Sequence, residues 1–263
     1  MSLPIYHVDA FVTKEKFSGN PAGVCILSQT VEDDWMRKVA REMNLSETAF
    51  LVKHSDGYNL RWFTPTVEVV LCGHATLASA HTLWEMGYLK PNTQARFYTK
   101  SGLLTADQKG ELIELNFPAK IAEPTSPPVE LLNALGVKAA YIGKNQFDYL
   151  IEVDSEQTVR DMKPDFTSLK KISVRGVIVT SRSDSLEYDF VSRFFAPGSG
   201  IDEDPVTGSA HCCLGPYWKS RLGKNEFAAY QASPRGGVLR VHVDGDRVYL
   251  TGKSVTMIRG ELL

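Results

Sequence analysis

Arg61-Trp62-Phe63-Thr64-Pro65 in the first half of the chain returns as Arg193-Phe194-Phe195-Ala196-Pro197 in the second half. The first copy leads to Gly73-His74-Ala75 and the second to Gly208-Ser209-Ala210. The copies lie about half of the 263 residues apart, whereas the repeats of solenoid proteins recur roughly every 20–50 residues. The repeat therefore predicts two similar domains that share a seam.

Each copy continues into an apolar helical stretch, residues 75–89 in the first and residues 210–222 in the second. Apolar side chains cover most of the helical circumference, and a helix of this kind must be buried nearly all round. Strand-like segments flank both stretches. The sequence thus predicts an α+β fold in which strands enclose one central helix, twice. Pro216 is expected to bend or shorten the second helix.

A proline-rich stretch at residues 118–128 is predicted to connect the domains, because the residue before a proline favours extended geometry. The predicted domains are residues 1–118 and 129–253. The C-terminal tail, about residues 254–263, is assigned to the first of them.

The remaining pattern predicts the elements around the helices. A β-hairpin is expected from residues 5–12 and 24–27, with its turn at Gly19-Asn20-Pro21-Ala22-Gly23. An amphipathic helix is predicted at residues 31–43. Further strands are predicted at residues 48–53, 58–63, 95–99, 102–106, 112–117, 149–153, 176–180, 188–195, 237–243 and 247–251, and a short helix at residues 129–136.

Composition excludes several classes of function. The 29 basic and 31 acidic residues nearly cancel and form no dense Lys/Arg block, so neither a nucleic acid nor an anionic membrane surface is an expected partner. No signal sequence or membrane-length apolar run is present, which favours a cytoplasmic protein. Cys25, Cys72, Cys212 and Cys213 lack CxxC spacing, which favours a reducing compartment and argues against structural zinc.

The starts of the two central helices are candidate anion sites. The first N–H groups of a helix lack internal acceptors and carry the positive end of the helix dipole. If the two domains face each other, Gly73-His74 and Gly208-Ser209 could hold one carboxylate in a shared cleft. Alternatively, the glycines only permit a tight entry into each helix.

Three acidic or basic residues, two of them near these helix starts, have both a structural and a chemical interpretation. His74 could carry a proton near neutral pH, or simply cap or pack the helix. Asp204-Pro205 could be an N-cap followed by proline at the first helical position, although the helix is expected to start nearer Gly208. Glu47 could form a capping box with Asn44, or act as a general acid/base with its pKa raised by apolar neighbours.

Taken together, several motifs resemble the PhzF-like isomerase family of phenazine biosynthesis, within the wider diaminopimelate epimerase-like fold. The match covers nearly the whole chain. The motifs are Val8-Asp9-Ala10-Phe11, Gly19-Asn20-Pro21-Ala22-Gly23, Leu45-Ser46-Glu47-Thr48-Ala49-Phe50, Cys72-Gly73-His74-Ala75-Thr76 and Asp204-Pro205-Val206-Thr207-Gly208-Ser209-Ala210. The resemblance implies two domains, each a β-barrel-like sheet around a central α-helix, with the active site between them. It also implies a homodimer and catalysis without a cofactor or a metal.

The resemblance further implies roles for individual residues. Glu47 corresponds to the proton carrier, with His74, Asp204 and Ser209 as the other catalytic residues. Asn20, Gly73 and Gly208 correspond to the substrate-binding positions. The implied reaction moves a proton between two carbons of a dihydro-hydroxyanthranilate-like, carboxylate-bearing small molecule and yields a ketone tautomer.

Racemases of the wider fold use one cysteine before each central-helix glycine, and this sequence allows a check. Cys72 precedes Gly73, but Thr207 precedes Gly208, and a hydroxyl is far too weak an acid to replace a thiolate. A two-thiol racemase is therefore not favoured. Cys212 and Cys213 are expected to be packing residues, and Cys72 a remnant or a wall of the site.

Two alternatives stay open at this stage. One is a one-base epimerase of an amino-acid-like substrate. The other is a non-catalytic protein that binds a small molecule in the same cleft.

Overall fold

The computed structural model describes residues 2–263, which divide into two compact units. The first unit runs to Phe117 and also includes Tyr249–Leu263, and the second is Pro118–Val248. Within residues 2–263, no helix is long and apolar enough to cross a membrane.

The secondary-structure elements follow one another in chain order. Those up to Pro118 are β1 (Leu3–Ala10), β2 (Asn20–Leu27), α1 (Asp33–Met43), β3 (Glu47–His54), β4 (Gly57–Phe63), β5 (Glu68–Val69), α2 (Gly73–Glu85), β6 (Ala95–Thr99), β7 (Gly102–Lys109) and β8 (Leu112–Pro118). Those that follow are β9 (Glu123–Pro124), α3 (Val129–Leu135), β10 (Tyr141–Lys144), β11 (Asp148–Glu152), α4 (Glu156–Asp161), α5 (Phe166–Leu169), β12 (Gly176–Arg182), β13 (Phe190–Ala196), β14 (Ile201–Glu203), α6 (Gly208–Leu222), β15 (Glu226–Gln231), β16 (Gly237–Asp244), β17 (Arg247–Gly252) and β18 (Ser254–Leu262).

In the first unit, the strands surround α2. Strand β1 pairs antiparallel with both β2 and β18, β2 runs parallel to β3, and β3 pairs antiparallel with β4. Helix α2 packs against β1, β2, β3 and β18, and every residue from Gly73 to Ala80 is buried. The apolar circumference of α2 is therefore covered by sheet, as its sequence predicts.

The hairpin of β1 and β2 forms as predicted, but its turn lies elsewhere. Residues 11–19 make the connection, where Gly19 has a φ of +79°, and Asn20 already begins β2. Gly23 lies inside β2, and a Cβ at this position would lie only 2.8 Å from Thr48 Oγ1 on β3. A glycine here therefore allows the two strands to pack closely, whereas the sequence suggested that it belongs to a turn.

The second unit repeats this arrangement around α6. Strands β12 and β13 are antiparallel, β13 and β15 are parallel, and β15 and β16 are antiparallel. Helix α6 is buried from Ala210 to Gly215. Gly215 faces β16, since a Cβ there would lie 2.9 Å from Val243 and 3.0 Å from Val241.

Pro216 does not shorten α6, so that part of the expectation is wrong. The helix has 15 residues, against 13 in α2. Proline cannot donate to the carbonyl four residues earlier, and that carbonyl, on Cys212, instead accepts a hydrogen bond from the Lys120 N–H at 3.0 Å. The proline-rich stretch thus supplies the donor that Pro216 lacks.

The repeated arginines make the same contact in both units. Arg61 on β4 donates two hydrogen bonds to Glu68 on β5, at 2.8 and 2.7 Å. Arg193 on β13 donates two to Glu203 on β14, at 2.7 and 2.8 Å. Each guanidinium also lies over the phenylalanine two residues later, Phe63 or Phe195. These two Arg–Glu pairs fix the chain just before each central helix begins.

The two Arg–Glu pairs differ in burial, so we expect them to contribute different amounts to the free energy of unfolding. Replacing Glu203 by Gln should lower the free energy of unfolding by about 3 kcal/mol, since it leaves a charge without its partner in a buried site. The Arg193 side chain is 10% exposed, whereas that of Arg61 is 30% exposed. The matched variant Glu68→Gln should therefore cost less, about 1 kcal/mol. Urea unfolding measures both values, and equal losses would contradict this assignment.

Candidate active site

The start of α2 brings together several predicted residues in the first unit. Cys72 occupies the N-cap position, followed by Gly73 and His74 as the first helical residues. Thr76 donates to the Cys72 carbonyl through its N–H and through Oγ1, at 3.2 and 2.5 Å. The N–H groups of Gly73, His74 and Ala75 have no acceptor within the helix, so this end of α2 is suited to a negatively charged group.

His74 is held between Asn20 and Glu47. The ring is 3% exposed, and its Nδ1 lies 3.1 Å from Asn20 Nδ2. With the amide assigned this way, its nitrogen can only donate, so Nδ1 is the acceptor and the ring proton is on Nε2. Nε2 lies 3.2 Å from Glu47 Oε2. The side of His74 that carries the proton therefore faces the carboxylate.

Burial keeps His74 uncharged. Loss of solvent disfavours the imidazolium and lowers the pKa of His74 to about 3. At neutral pH the ring is a neutral donor at Nε2. It contributes polarity next to Glu47 without contributing a positive charge.

Glu47 is the first residue of β3, and strand register determines its location. It pairs with Ala22 of β2, so the starts of β2 and β3 lie side by side and place Glu47 at the same end of the sheet as Asn20.

The capping-box interpretation of Asn44 and Glu47 is wrong: Asn44 ends α1 as its C-cap with a φ of 49°, and no helix starts there. Asparagine suits that position because it tolerates the left-handed conformation.

Cys72 belongs to the same cluster. Its Sγ lies 3.5 Å from His74 Nδ1 and 4.0 Å from Nε2. Potential ligand atoms of Glu47, Cys72 and His74 all lie within 4.8 Å of one another. The Cys72 thiol is thus in direct contact with the His74 imidazole.

The start of α6 holds a different set of groups in the second unit. Thr207 is the N-cap residue and Gly208 the first helical residue, so Asp204 is not the N-cap. Instead, the Thr207 hydroxyl donates to Asp204 Oδ2 at 2.5 Å. Asp204 is buried, and Ser209 is half-buried in the first turn of α6.

Gln231 holds this loop in place, and sequence analysis missed it. Its Oε1 accepts from the Thr207 N–H at 2.8 Å, and its Nε2 donates to the Asp204 carbonyl at 2.7 Å and to Thr207 Oγ1 at 3.2 Å. Gln231 is completely buried at the end of β15, a strand that was not predicted. The alternation of buried Phe227, Ala229 and Gln231 was the available signal.

Comparison with known proteins places the chain in a family. The model of the phenazine biosynthesis-like protein family matches residues 8–260. The chain belongs to this family. An uncharacterized isomerase of Halalkalibacterium halodurans is 58% identical over 264 residues, covering 100% of this chain and 99% of the relative. The crystal structure of a PhzF family protein from Enterococcus faecalis matches with a TM-score of 0.94 and 44% identity over the whole of both chains.

A more distant structure extends the likeness to the fold alone. A predicted epimerase from Pseudomonas aeruginosa matches with a TM-score of 0.78 at 20% identity, covering 100% of this chain and 99% of that one. These matches confirm the predicted α+β fold, with a sheet around a central helix in each half, and the resemblance to the PhzF family.

The predicted site residues fall into two groups in this family member. Asn20, Glu47, Gly73 and His74 come together in the first unit. In the second unit, Asp204 lies against the N-cap residue Thr207, and Gly208 and Ser209 follow at the start of α6. Their roles in catalysis and binding stay predictions.

The thiols of α6 differ from Cys72 in their surroundings. Burial raises the pKa of both Cys212 and Cys213 to about 12, which keeps both thiols protonated at neutral pH and fits the packing role predicted for them. Thr207, at the position where a two-thiol enzyme needs a cysteine, uses its hydroxyl on Asp204.

The contacts of Gln231 predict a measurable contribution to stability. Gln231→Met keeps the approximate volume but removes the partners of Thr207 and Asp204, and it should lower the free energy of unfolding by about 2–4 kcal/mol. Gln94→Met is the control, because Gln94 is exposed and its amide bonds at the surface, to Asp107 and to Arg96; it should change stability by less than about 0.5 kcal/mol. Comparable effects of the two substitutions in urea unfolding would show that the Gln231 contacts contribute nothing.

The lowered pKa of His74 predicts how stability depends on pH. An unfolded histidine titrates near 6.5, whereas folded His74 titrates near 3. Between these values the unfolded chain binds a proton that the folded chain does not, so stability decreases as pH falls below about 6.5. His74→Gln should reduce the slope of the unfolding free energy against pH by up to the amount that corresponds to one bound proton.

His211 allows an independent test of the same effect, because burial lowers its pKa to about 4. Urea unfolding of the wild type, His74→Gln and His211→Gln at several pH values between 7 and about 4.5 gives the slopes. Unchanged slopes in both variants would show that neither imidazole is buried in its neutral form.

Proposed function

We propose that the protein is a cofactor-independent isomerase that moves a proton between two carbons of a small, carboxylate-bearing substrate. The observation that supports this most directly is the Glu47 carboxylate, 3.2 Å from the neutral, buried imidazole of His74. The name of the relative from Halalkalibacterium halodurans supports the same class of reaction. The proposed substrate is an unsaturated or cyclic carboxylate, similar to a dihydro-hydroxyanthranilate.

Glu47 is the proposed proton carrier. As a carboxylate it takes a proton from a carbon whose C–H bond is acidified by conjugation, and the electron pair of that bond moves into the conjugated system. As a carboxylic acid it then returns the proton to a different carbon of the same system. One group can serve both steps, because it becomes the acid of the second step by acting as the base of the first.

His74 is proposed to assist as a neutral donor. Asn20 occupies Nδ1 and leaves the ring proton on Nε2, so His74 has no lone pair directed at Glu47 and is not the base. A neutral N–H can polarise a carbonyl or enol oxygen of the substrate without competing for the proton. This division of roles assigns the base to Glu47.

Asp204 and Ser209 are the proposed binding groups of the second unit. The hydroxyl of Thr207 donates to Asp204 Oδ2, which holds the carboxyl group in place, and Asp204 would accept hydrogen bonds from substrate N–H or O–H groups. Ser209 and the N–H group at Gly208 would bind a negatively charged group at the start of α6, as would the N–H group at Gly73 at the start of α2 in the first unit.

Replacement of Glu47 tests the proposal. Glu47→Gln keeps the shape but cannot take up a proton, and it should slow isomerisation by about 10²–10⁴-fold. Nuclear magnetic resonance in heavy water can follow deuterium uptake into the carbon positions of a panel of small unsaturated carboxylates. The control Glu42→Gln changes an exposed residue of α1 and should exchange like the wild type. Undiminished exchange in Glu47→Gln would remove Glu47 from the mechanism.

The same measurement separates the alternatives. A one-base epimerase would return the proton to the carbon it came from with inverted configuration, which the chirality of the product reveals. A non-catalytic binding protein would shift the unfolding temperature with a ligand and exchange no carbon-bound hydrogen. Association into a homodimer, as implied by the family resemblance, is part of the proposal and is measurable by sedimentation.

A further inference from the structure

We propose that Glu47, Cys72 and His74 form a binding site for Zn²⁺ and that zinc bound there inhibits the isomerase. The inhibition rests on the proposed function of Glu47, whereas zinc binding rests on the three side chains alone. All three belong to the first unit and meet at the start of α2. Their ligand atoms are a carboxylate oxygen, a sulfur and an imidazole nitrogen, which are the three types that zinc binds in proteins.

The distances between these atoms suit one ion. Tetrahedral zinc has bonds of about 2.0 Å to nitrogen and 2.3 Å to sulfur, which separates neighbouring ligand atoms by roughly 3.3–3.8 Å. His74 Nε2 lies 3.2 Å from Glu47 Oε2 and 4.0 Å from Cys72 Sγ. One potential ligand atom from each of the three residues lies within 4.8 Å of the other two, so side-chain shifts of about an ångström or less would bring the three groups around zinc.

The charges of the three ligands also match zinc. A Cys72 thiolate and the Glu47 carboxylate together carry two negative charges, and they neutralise Zn²⁺ when His74 binds as a neutral ring. The Cys72, His74 and Glu47 side chains are buried or nearly so, and a buried site tolerates a neutral complex far better than an unpaired charge.

Asn20 can hold His74 in the form that binds zinc. Coordination through Nε2 moves the ring proton to Nδ1, which must then donate to an acceptor. Asn20 Nδ2 lies 3.1 Å from Nδ1, and rotation of the amide presents its oxygen to the same position. A zinc-bound histidine commonly donates its second N–H to such a partner.

Zinc in this position would block the proposed reaction. The Glu47 oxygen that binds the metal is no longer available to take a proton from carbon, and His74 Nε2 has lost the proton that it donates. Magnesium and calcium prefer oxygen ligands, so a site with one sulfur and one nitrogen ligand should select zinc over both. Zinc acts here as an inhibitor and is not part of the catalytic machinery.

Isothermal titration calorimetry of the full chain with zinc chloride tests this site. The wild type should bind one zinc ion, and magnesium chloride should give no binding. Cys72→Ser should bind zinc at least roughly 100-fold more weakly.

Two further variants keep the result interpretable. Cys25→Ser replaces another buried thiol of the first unit, in the core between β2 and α1, and should bind zinc like the wild type. Glu47→Gln should weaken zinc binding through a different ligand, which tests the site even if Cys72→Ser does not fold. Circular dichroism of each variant without zinc reports whether it is folded.

The proposed zinc site is overturned if the wild type binds no zinc, or if Cys72→Ser or Glu47→Gln, shown to be folded, binds zinc with wild-type affinity. These measurements use no substrate, so they are independent of the proposed reaction. If zinc binds as expected while Glu47→Gln still exchanges deuterium at the wild-type rate, the zinc site stands and the isomerase mechanism fails.

Discussion

The structure depends on two helices that have no polar face. Helices α2 and α6 are apolar around most of their circumference, so each is stable only when strands cover it on nearly every side. This requirement explains why each unit is a sheet around one helix and why glycines such as Gly23 and Gly215 permit close packing. It also leaves each helix start as a buried place where backbone N–H groups lack acceptors within the helix.

The two units use one scaffold for different chemistry. The Arg61–Glu68 and Arg193–Glu203 pairs are equivalent in geometry, so the loops before the helices are fixed in the same way. The side chains at the helix starts are not equivalent, since one unit has a carboxylate, a thiol and an imidazole while the other has Asp204 held by Thr207 and Gln231. The duplication therefore supplies the framework, and the copies differ in the side chains to which the proposed function assigns the chemistry.

A single electrostatic property of the first unit links the proposed catalysis to the proposed inhibition. Burial keeps His74 neutral, and a neutral imidazole has one N–H and one lone pair, with Asn20 able to pair with either. In one tautomer the ring donates next to Glu47, and in the other it can bind a metal ion. The same burial opposes protonation of the ring in mildly acidic solution and reduces the stability of the fold there.

The sequence by itself determined the two-domain scheme, because the same motif occurs twice along the chain. It also determined the central helices and most strands, because the periodicity of apolar residues is a local property of the chain. The family motifs also singled out Asn20, Glu47, His74 and Asp204. Only the tertiary structure showed that Asn44 ends a helix, that Lys120 donates to the carbonyl left without a partner by Pro216, and that Gln231 holds the Asp204 loop. It alone brought the ligand atoms of Glu47, Cys72 and His74 within 4.8 Å of one another. These contacts depend on strand register and on partners far apart in the chain, which local patterns do not specify.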